Sequence, residues 1–200
     1  MLKNTRRIGT FSSTTMQLDF KLVTAPEIEE AVRIEEEGFP PDEAGSLETF
    51  RFRQSQAPDL FLGAYTSTSS LTESDSSTSS PSSDQPNLQL IGYVCSTLSL
   101  SKTITHASMS THISHGRSIC IHSVCVDKKY RRQGIALRLL KEYISRLQNN
   151  SNLYDRILLI AHEELIPLYE NAGFTLVGKS EVTHGPRPWF EMRLDLKDEQ

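Results

Sequence analysis

The strand-like run Ser118-Ile119-Cys120-Ile121-His122-Ser123-Val124-Cys125-Val126 is followed four residues later by Arg131-Arg132-Gln133-Gly134-Ile135-Ala136. Behind it comes an apolar stripe at Leu139, Leu140, Tyr143, Ile144 and Leu147. This stretch decides the fold. The spacing of the stripe predicts an amphipathic helix over Gln133 to Gln148, opening directly behind a strand. A helix start displays bare N–H groups and the positive end of the helix dipole. Gly134 and Ala136 are small, so the phosphates of a ligand could approach the main chain there. The run lacks the Gly-Lys-Ser/Thr of a P-loop and the repeated glycines of a dinucleotide fingerprint. On its residues alone it is either an anion cradle or an ordinary tight strand-to-helix turn.

Working outward, alternation of Leu18, Phe20 and Leu22 with Asp19 and Lys21 predicts a first strand over Gln17 to Val23. Thr24-Ala25-Pro26-Glu27 reads as the start of a helix that carries Ile28, Ala31, Val32 and Ile34 and stops at Gly38. Phe39-Pro40-Pro41-Asp42 is extended, because each proline pushes the residue before it out of the helical region. A second helix is expected over Leu47 to Gln54. Strands are expected over Asp59 to Tyr65, Leu88 to Leu100, Arg156 to Ala161, Phe174 to Val177 and Trp189 to Leu196, with a short helix over Glu164 to Asn171 closed by Gly173. Strand, two helices, three strands, helix, strand, helix, two strands is a mixed α/β domain around one sheet.

Between two of those strands, residues 66–84 hold 14 Ser or Thr in 19 positions. Such a segment cannot bury enough apolar surface to offset its ordering entropy. We expect residues 66–86 to be a disordered insert replacing a hairpin turn, because loop closure costs little more as a loop lengthens. Residues 1–15, basic and rich in hydroxyls, read as a disordered tail; they have no apolar stretch of the secretory type. The expected unit is thus a single domain over 16–197.

The chain has 200 residues, 21 Lys+Arg and 25 Asp+Glu, for a formal charge of −4. Nothing in that balance draws it to nucleic acid or to an anionic membrane surface. No apolar run reaches the ~18 residues of a spanning helix. Cys95, Cys120 and Cys125 sit in apolar runs without zinc-type spacing and read as reduced thiols of a cytoplasmic protein. His106, His112 and His115 fall in a polar stretch, 101–116, that matches no metal template and reads as a solvated loop. No metal is expected.

Val124–Val126 followed by Arg131-x-x-Gly134-x-Ala136 resembles the acetyl-CoA motif of the GNAT N-acetyltransferases, Gln/Arg-x-x-Gly-x-Gly/Ala. Glu37-Gly38-Phe39-Pro40-Pro41, Ile121-His122-Ser123-Val124 and Ala161-His162-Glu163-Glu164-Leu165-Ile166-Pro167-Leu168-Tyr169-Glu170-Asn171-Ala172-Gly173-Phe174 occur in order around it. The set is similar to the arylalkylamine (serotonin-type) N-acetyltransferases, and most of all to their fungal members, which also acetylate polyamines. The resemblance runs over roughly residues 17–196, apart from the insert.

It implies the acyl-CoA N-acyltransferase fold, a central, mostly antiparallel sheet with splayed strands flanked by helices. It implies acetyl-CoA as cosubstrate, with pantetheine along Val124, Cys125 and Val126 and pyrophosphate on Arg131, Arg132, Gln133, Gly134, Ile135, Ala136 and Leu137. His122 would be the base and Tyr169 the group at the CoA sulfur. The family supplies two histidines one residue apart; here the first position is Cys120, so His122 would act alone with ordered water. Phe39, Pro40, Pro41, Cys120, His162 and Trp189 are the residues expected around the acceptor. The acceptor would be a small arylalkylamine or a polyamine, and the protein a monomer. Strict alternation would put Cys120, His122 and Val124 on one face of their strand. Acetylation of protein lysines or N-termini, and a CoA-binding module without turnover, are the competing functions.

Overall fold

A computed structural model describes residues 16–67 and 87–197. In chain order the elements are β1 (Asp19–Leu22), α1 (Ile28–Glu36), α2 (Leu47–Gln56), β2 (Phe61–Ser67), β3 (Leu88–Ser99), α3 (His106–Ser110), β4 (Ser118–Val126), α4 (Ile135–Gln148), β5 (Arg156–Ala161), α5 (Ile166–Ala172), β6 (Thr175–Lys179) and β7 (Phe190–Asp195). The seven strands form one sheet in the order β1-β2-β3-β4-β5-β7-β6. Every neighbouring pair is antiparallel except β4 and β5, which α4 connects in parallel.

Local chemistry sets the helix ends. Glu27 accepts hydrogen bonds from the Thr24 amide at 2.8 Å and the Thr24 hydroxyl at 2.6 Å, fixing the turn that leads into α1. Ser46 caps α2, its hydroxyl accepting from the Thr49 amide at 3.2 Å. Gly134, at φ +74°, turns the chain into α4. Leu139, Leu140, Tyr143, Ile144 and Leu147 of α4 are buried with α5 against one face of the sheet. Ile28, Ala31, Val32 and Ile34 of α1, with Phe50 of α2, pack on the other. Full burial of each Leu, Ile, Val or Phe among them contributes about 1.5–3 kcal/mol.

Two irregularities shape the middle of the sheet. The β4–β5 ladder pairs only Ser118–Cys120 with Arg156–Leu158. Beyond that point β4 stays with β3 while β5 stays with β7, so the two strands splay. The β3–β4 register also slips: Cys95 opposes Ser123, Ser96 opposes Ile121, and His122 is left over as a bulge.

That bulge corrects the expected alternation. Ile119, Ile121, Val124 and Val126 face the α4 side, whereas Cys125 packs with α1 and Cys120 joins a small cluster with Leu158, Ile160 and Trp189. Cys120 and Val124 therefore do not share a face. The stretch 101–116 is likewise not all loop: α3 forms inside it, because Thr105 and Ser108 cap one another reciprocally. Thr66 and Ser67, placed in the insert by composition, prolong β2 opposite Gln89 and Leu88. α4 begins at Ile135 rather than Gln133, and Pro58–Leu60 form a short turn ahead of β2. The expectations for 1–15 and for 68–86 lie outside the described residues. The three cysteines are buried and unpaired. No described helix is long and apolar enough to cross a membrane.

Candidate active site

The splay opens a cleft of about 470 Å³ lined by Val124, Cys125 and Val126 on one wall and by Leu165, Leu168 and Tyr169 on the other. Its far end is the turn before α4, where Arg132 (φ 63°) and Gly134 (φ 74°) are both left-handed. Left-handed residues interleaved with ordinary ones aim successive amides at one point and make an anion-binding concavity. A Cβ built on Gly134 meets nothing within 4 Å, so the space in front of those amides is open. A non-glycine residue at positive φ costs roughly 1–2 kcal/mol, and such strain gathers at functional turns. The residues here fit a pantetheine arm ending in a pyrophosphate: an extended slot beside an unpaired strand edge, closed by bare amides.

Arg131 is committed within the fold. Its Nε donates to the Val126 carbonyl at 2.9 Å, and Nη2 lies 4.0 Å from Cys125 Sγ. It braces the end of β4, while Arg132 is exposed.

Phe39, Val124, Leu165 and Tyr169 also border a narrower throat of about 110 Å³. His122 projects into it from the bulge. The His122 Nε2 lies 2.8 Å from the Thr97 hydroxyl, which itself lies 3.2 Å from the Thr111 carbonyl. A carbonyl only accepts, so the Thr97 proton satisfies Thr111 when Nε2–H donates to Thr97. The Nδ1 lone pair is then left free, and Nδ1 is buried without a partner among the described residues. Burial, followed by the charges of Arg53 and His184, holds the imidazole well below its ordinary pKa of 6.5. At neutral pH it is a neutral ring with one unused acceptor. Tyr169 is buried beside Phe174, and burial raises its phenol, so it keeps its proton at neutral pH.

On the opposite wall, His162 stacks on Trp189 with ring centres 3.9 Å apart. Its Nδ1 lies 3.0 Å from the Pro188 carbonyl, and Nε2 lies 3.1–3.2 Å from both oxygens of Glu43. Both ring nitrogens thus face acceptor oxygens. The Glu43–His162 contact ties the loop after α1 to the end of β5. Trp189 Nε1 donates to the His184 carbonyl at 2.7 Å.

Glu35 anchors the same loop from below. It is 3% exposed, and its carboxylate accepts from the Tyr93 hydroxyl at 2.5 Å, the Ser123 hydroxyl at 2.6 Å and the Gly45 amide at 3.1 Å. Glu35→Ala would leave three donors without an acceptor, at about 1–3 kcal/mol for each that water cannot reach. We expect a loss of about 2–4 kcal/mol, read from the urea midpoint, with Glu35→Gln recovering part of it. A midpoint unchanged in Glu35→Ala would show that the carboxylate does not hold the loop.

Beyond His122 the throat widens into a mouth of about 610 Å³, bordered by Asp42, Glu43, Glu48, Arg53, His122 and His184. Of the residues expected from the sequence, the fold thus gathers Phe39, His122, Val124, His162, Tyr169 and Trp189 around the throat. Arg131, Arg132, Gly134, Ile135, Ala136 and Leu137 line the cleft with Cys125 and Val126. It does not bring Cys120, Pro40, Pro41 or Gln133 to these walls. Cys120 is fully buried beneath Trp189, its thiol pushed up to about 11 chiefly by that burial, and the two prolines and Gln133 point to solvent. Sequence reasoning missed Glu35, Arg53, Thr97, Ser123 and His184. Only Glu35 left a local signal, an acid on the apolar face of α1 with Ile28, Ala31 and Val32.

Comparison with known proteins adds to this geometry. Residues 99–196 match the acetyltransferase (GNAT) domain family. The chain is 28% identical over 109 residues to serotonin N-acetyltransferase of Mesocricetus auratus, covering 54% of this chain and 52% of that protein. It therefore spans about half the length of the curated relatives it matches. Among solved structures, a chain of the NatC complex bound to Gag peptide and CoA superposes with TM-score 0.64 at 19% identity, covering 91% of this chain and 100% of that one. The protein yncA of Salmonella typhimurium with its cofactor acetyl-CoA superposes with TM-score 0.60 at 12% identity, covering 91% and 95%. At such identities the structures establish a shared fold.

Proposed function

We infer that this chain, whose residues 99–196 match the acetyltransferase (GNAT) domain family, transfers the acetyl group of acetyl-CoA to the primary amine of a small arylalkylamine or polyamine. The observation that carries this reading is one continuous path. It runs from the turn with left-handed Arg132 and Gly134, along the unpaired edge of β4, to the throat bordered by His122, whose Nδ1 is buried without a partner among the described residues. Acetyl-CoA, when bound, supplies an acyl carbon activated as a thioester.

The amides around Gly134 hold the pyrophosphate end, and the Val124–Val126 edge aligns the arm as an added strand would be aligned. His122 takes a proton at Nδ1, directly or through water. A primary amine of pKa near ~10 is far more basic than this buried ring, so the ring is suited to the proton that the nitrogen sheds as it attacks rather than to holding an ammonium proton at rest. Tyr169, kept protonated by burial, donates its phenolic hydrogen towards the departing sulfur. Phe39 and Trp189 offer apolar walls to the acceptor, and the Glu43–His162 pair orients the loop that carries Phe39.

Thiol release from acetyl-CoA across arylalkylamines, polyamines and short peptides tests the reading. Turnover with a small amine supports it. Turnover with peptides alone would transfer the protein to macromolecular acetylation, and binding of acetyl-CoA without turnover by any acceptor would make it a sensor.

A further inference from the structure

Arg53, on α2, borders both the throat and the mouth, beside His122 and His184. Its neighbours do not balance its charge. The nearest polar contact is the Cys95 thiol, 3.9 Å from Nη1, and burial pushes that thiol up to about 11, so it stays uncharged. His122 and His184 are both driven towards the neutral form, each first by burial. The carboxylates in the same cavity are turned elsewhere: Glu35 to its three donors and Glu43 to His162. No carboxylate among the described residues forms an ion pair with Arg53. A planar fork of N–H donors is left half-buried over the path to the reacting nitrogen, and its best complement is a carboxylate.

We propose that Arg53 receives a carboxylate carried by the acceptor, so that among arylalkylamines and polyamine-like diamines the carboxylated, amino-acid members are preferred. Its carboxylate would sit on the guanidinium and its nitrogen would face His122. The exposed acids Asp42 and Glu48 border the same mouth. A zwitterion thus finds a complement for each of its charges, whereas a simple cationic amine leaves the guanidinium unmatched. A carboxylate on Arg53 would also cancel one of the charges that hold down the basicity of His122. The proposal rests on the acetyl-transfer reading for the fate of the nitrogen, but its binding half can be measured without turnover.

The experiment is calorimetric titration of the CoA-loaded protein with tryptophan against tryptamine, and with lysine against cadaverine. Each pair differs only in the carboxylate. Unaltered protein is expected to bind the carboxylated member of at least one pair roughly tenfold more tightly or better. Arg53→Gln should reduce that ratio by about tenfold, and Arg53→Lys, which keeps charge without the fork, should fall between. Retained CoA binding confirms that each variant is folded. The proposal is overturned if neither amino acid binds, if the decarboxylated amines bind as well or better, or if the ratio does not move in Arg53→Gln. Thiol release is scored separately: a ratio that responds to Arg53 without any acetylation would sink the acetyl-transfer reading and leave this site standing.

Discussion

His122→Gln is expected to lower kcat by about 10²- to 10⁴-fold, the usual worth of a positioned proton acceptor, with acetyl-CoA affinity close to that of the unaltered protein. The amide of Gln can still meet Thr97, so the bulge keeps its partner, but it offers no nitrogen lone pair where Nδ1 stands. The pH dependence gives a second readout. The folded imidazole titrates well below 6.5, so the acid limb of kcat should lie below that value and vanish in the variant. Stability carries the same signature. As pH falls through 6.5 the unfolded chain takes up this proton before the folded one does, so folding weakens towards acid. The Gln variant should lose that part of the dependence. Unaltered kcat across the whole pH range would remove His122 from the chemistry.

Gly134→Val should raise the dissociation constant for CoA at least about tenfold, a 1.4 kcal/mol effect, and lower stability by roughly 1–2 kcal/mol. The two losses have separate origins. At φ +74° a β-branched residue is strained whatever surrounds it. Its side chain also grows into the open space before the amides, where nothing lies within 4 Å of a Cβ. Gly134→Ala has the strain with little of the bulk, so comparing the two variants by calorimetry and by thermal denaturation separates backbone from blockage. If CoA binds Gly134→Val as it binds the unaltered chain, the ligand phosphates lie somewhere else.

The strand-to-helix turn was legible because its information is local. Apolar spacing in α4 and the small residues Gly134 and Ala136 sit within one stretch of chain, β1 shows itself by alternation, and strands such as β2 and β5 show themselves as short apolar runs. What stayed hidden depends on pairing between distant segments. The bulge at His122 is a mismatch in length between β3 and β4, and β4 alone reads as regular. The Glu43–His162 contact joins residues 119 apart, with a proline-rich loop at one end that has no periodicity to read. Arg53 lies on a helix that buries only Phe50, so its inward lean follows from how α2 docks rather than from any pattern along it. α3 escaped because a five-residue helix held by hydroxyl caps has the same composition as a polar loop.

With only three residue pairs joining β4 to β5, the sheet is a half-closed zipper. β1 through β4 form one flap and β5, β7 and β6 the other, held together at one end and bridged on one face by α4. A molecule filling the open part completes the fastening, and its binding energy becomes resistance to unfolding, about 2.7 kcal/mol at a hundred times its dissociation constant. Occupancy and durability are therefore linked in this protein: the more of its ligand surrounds it, the harder its two flaps are to pull apart.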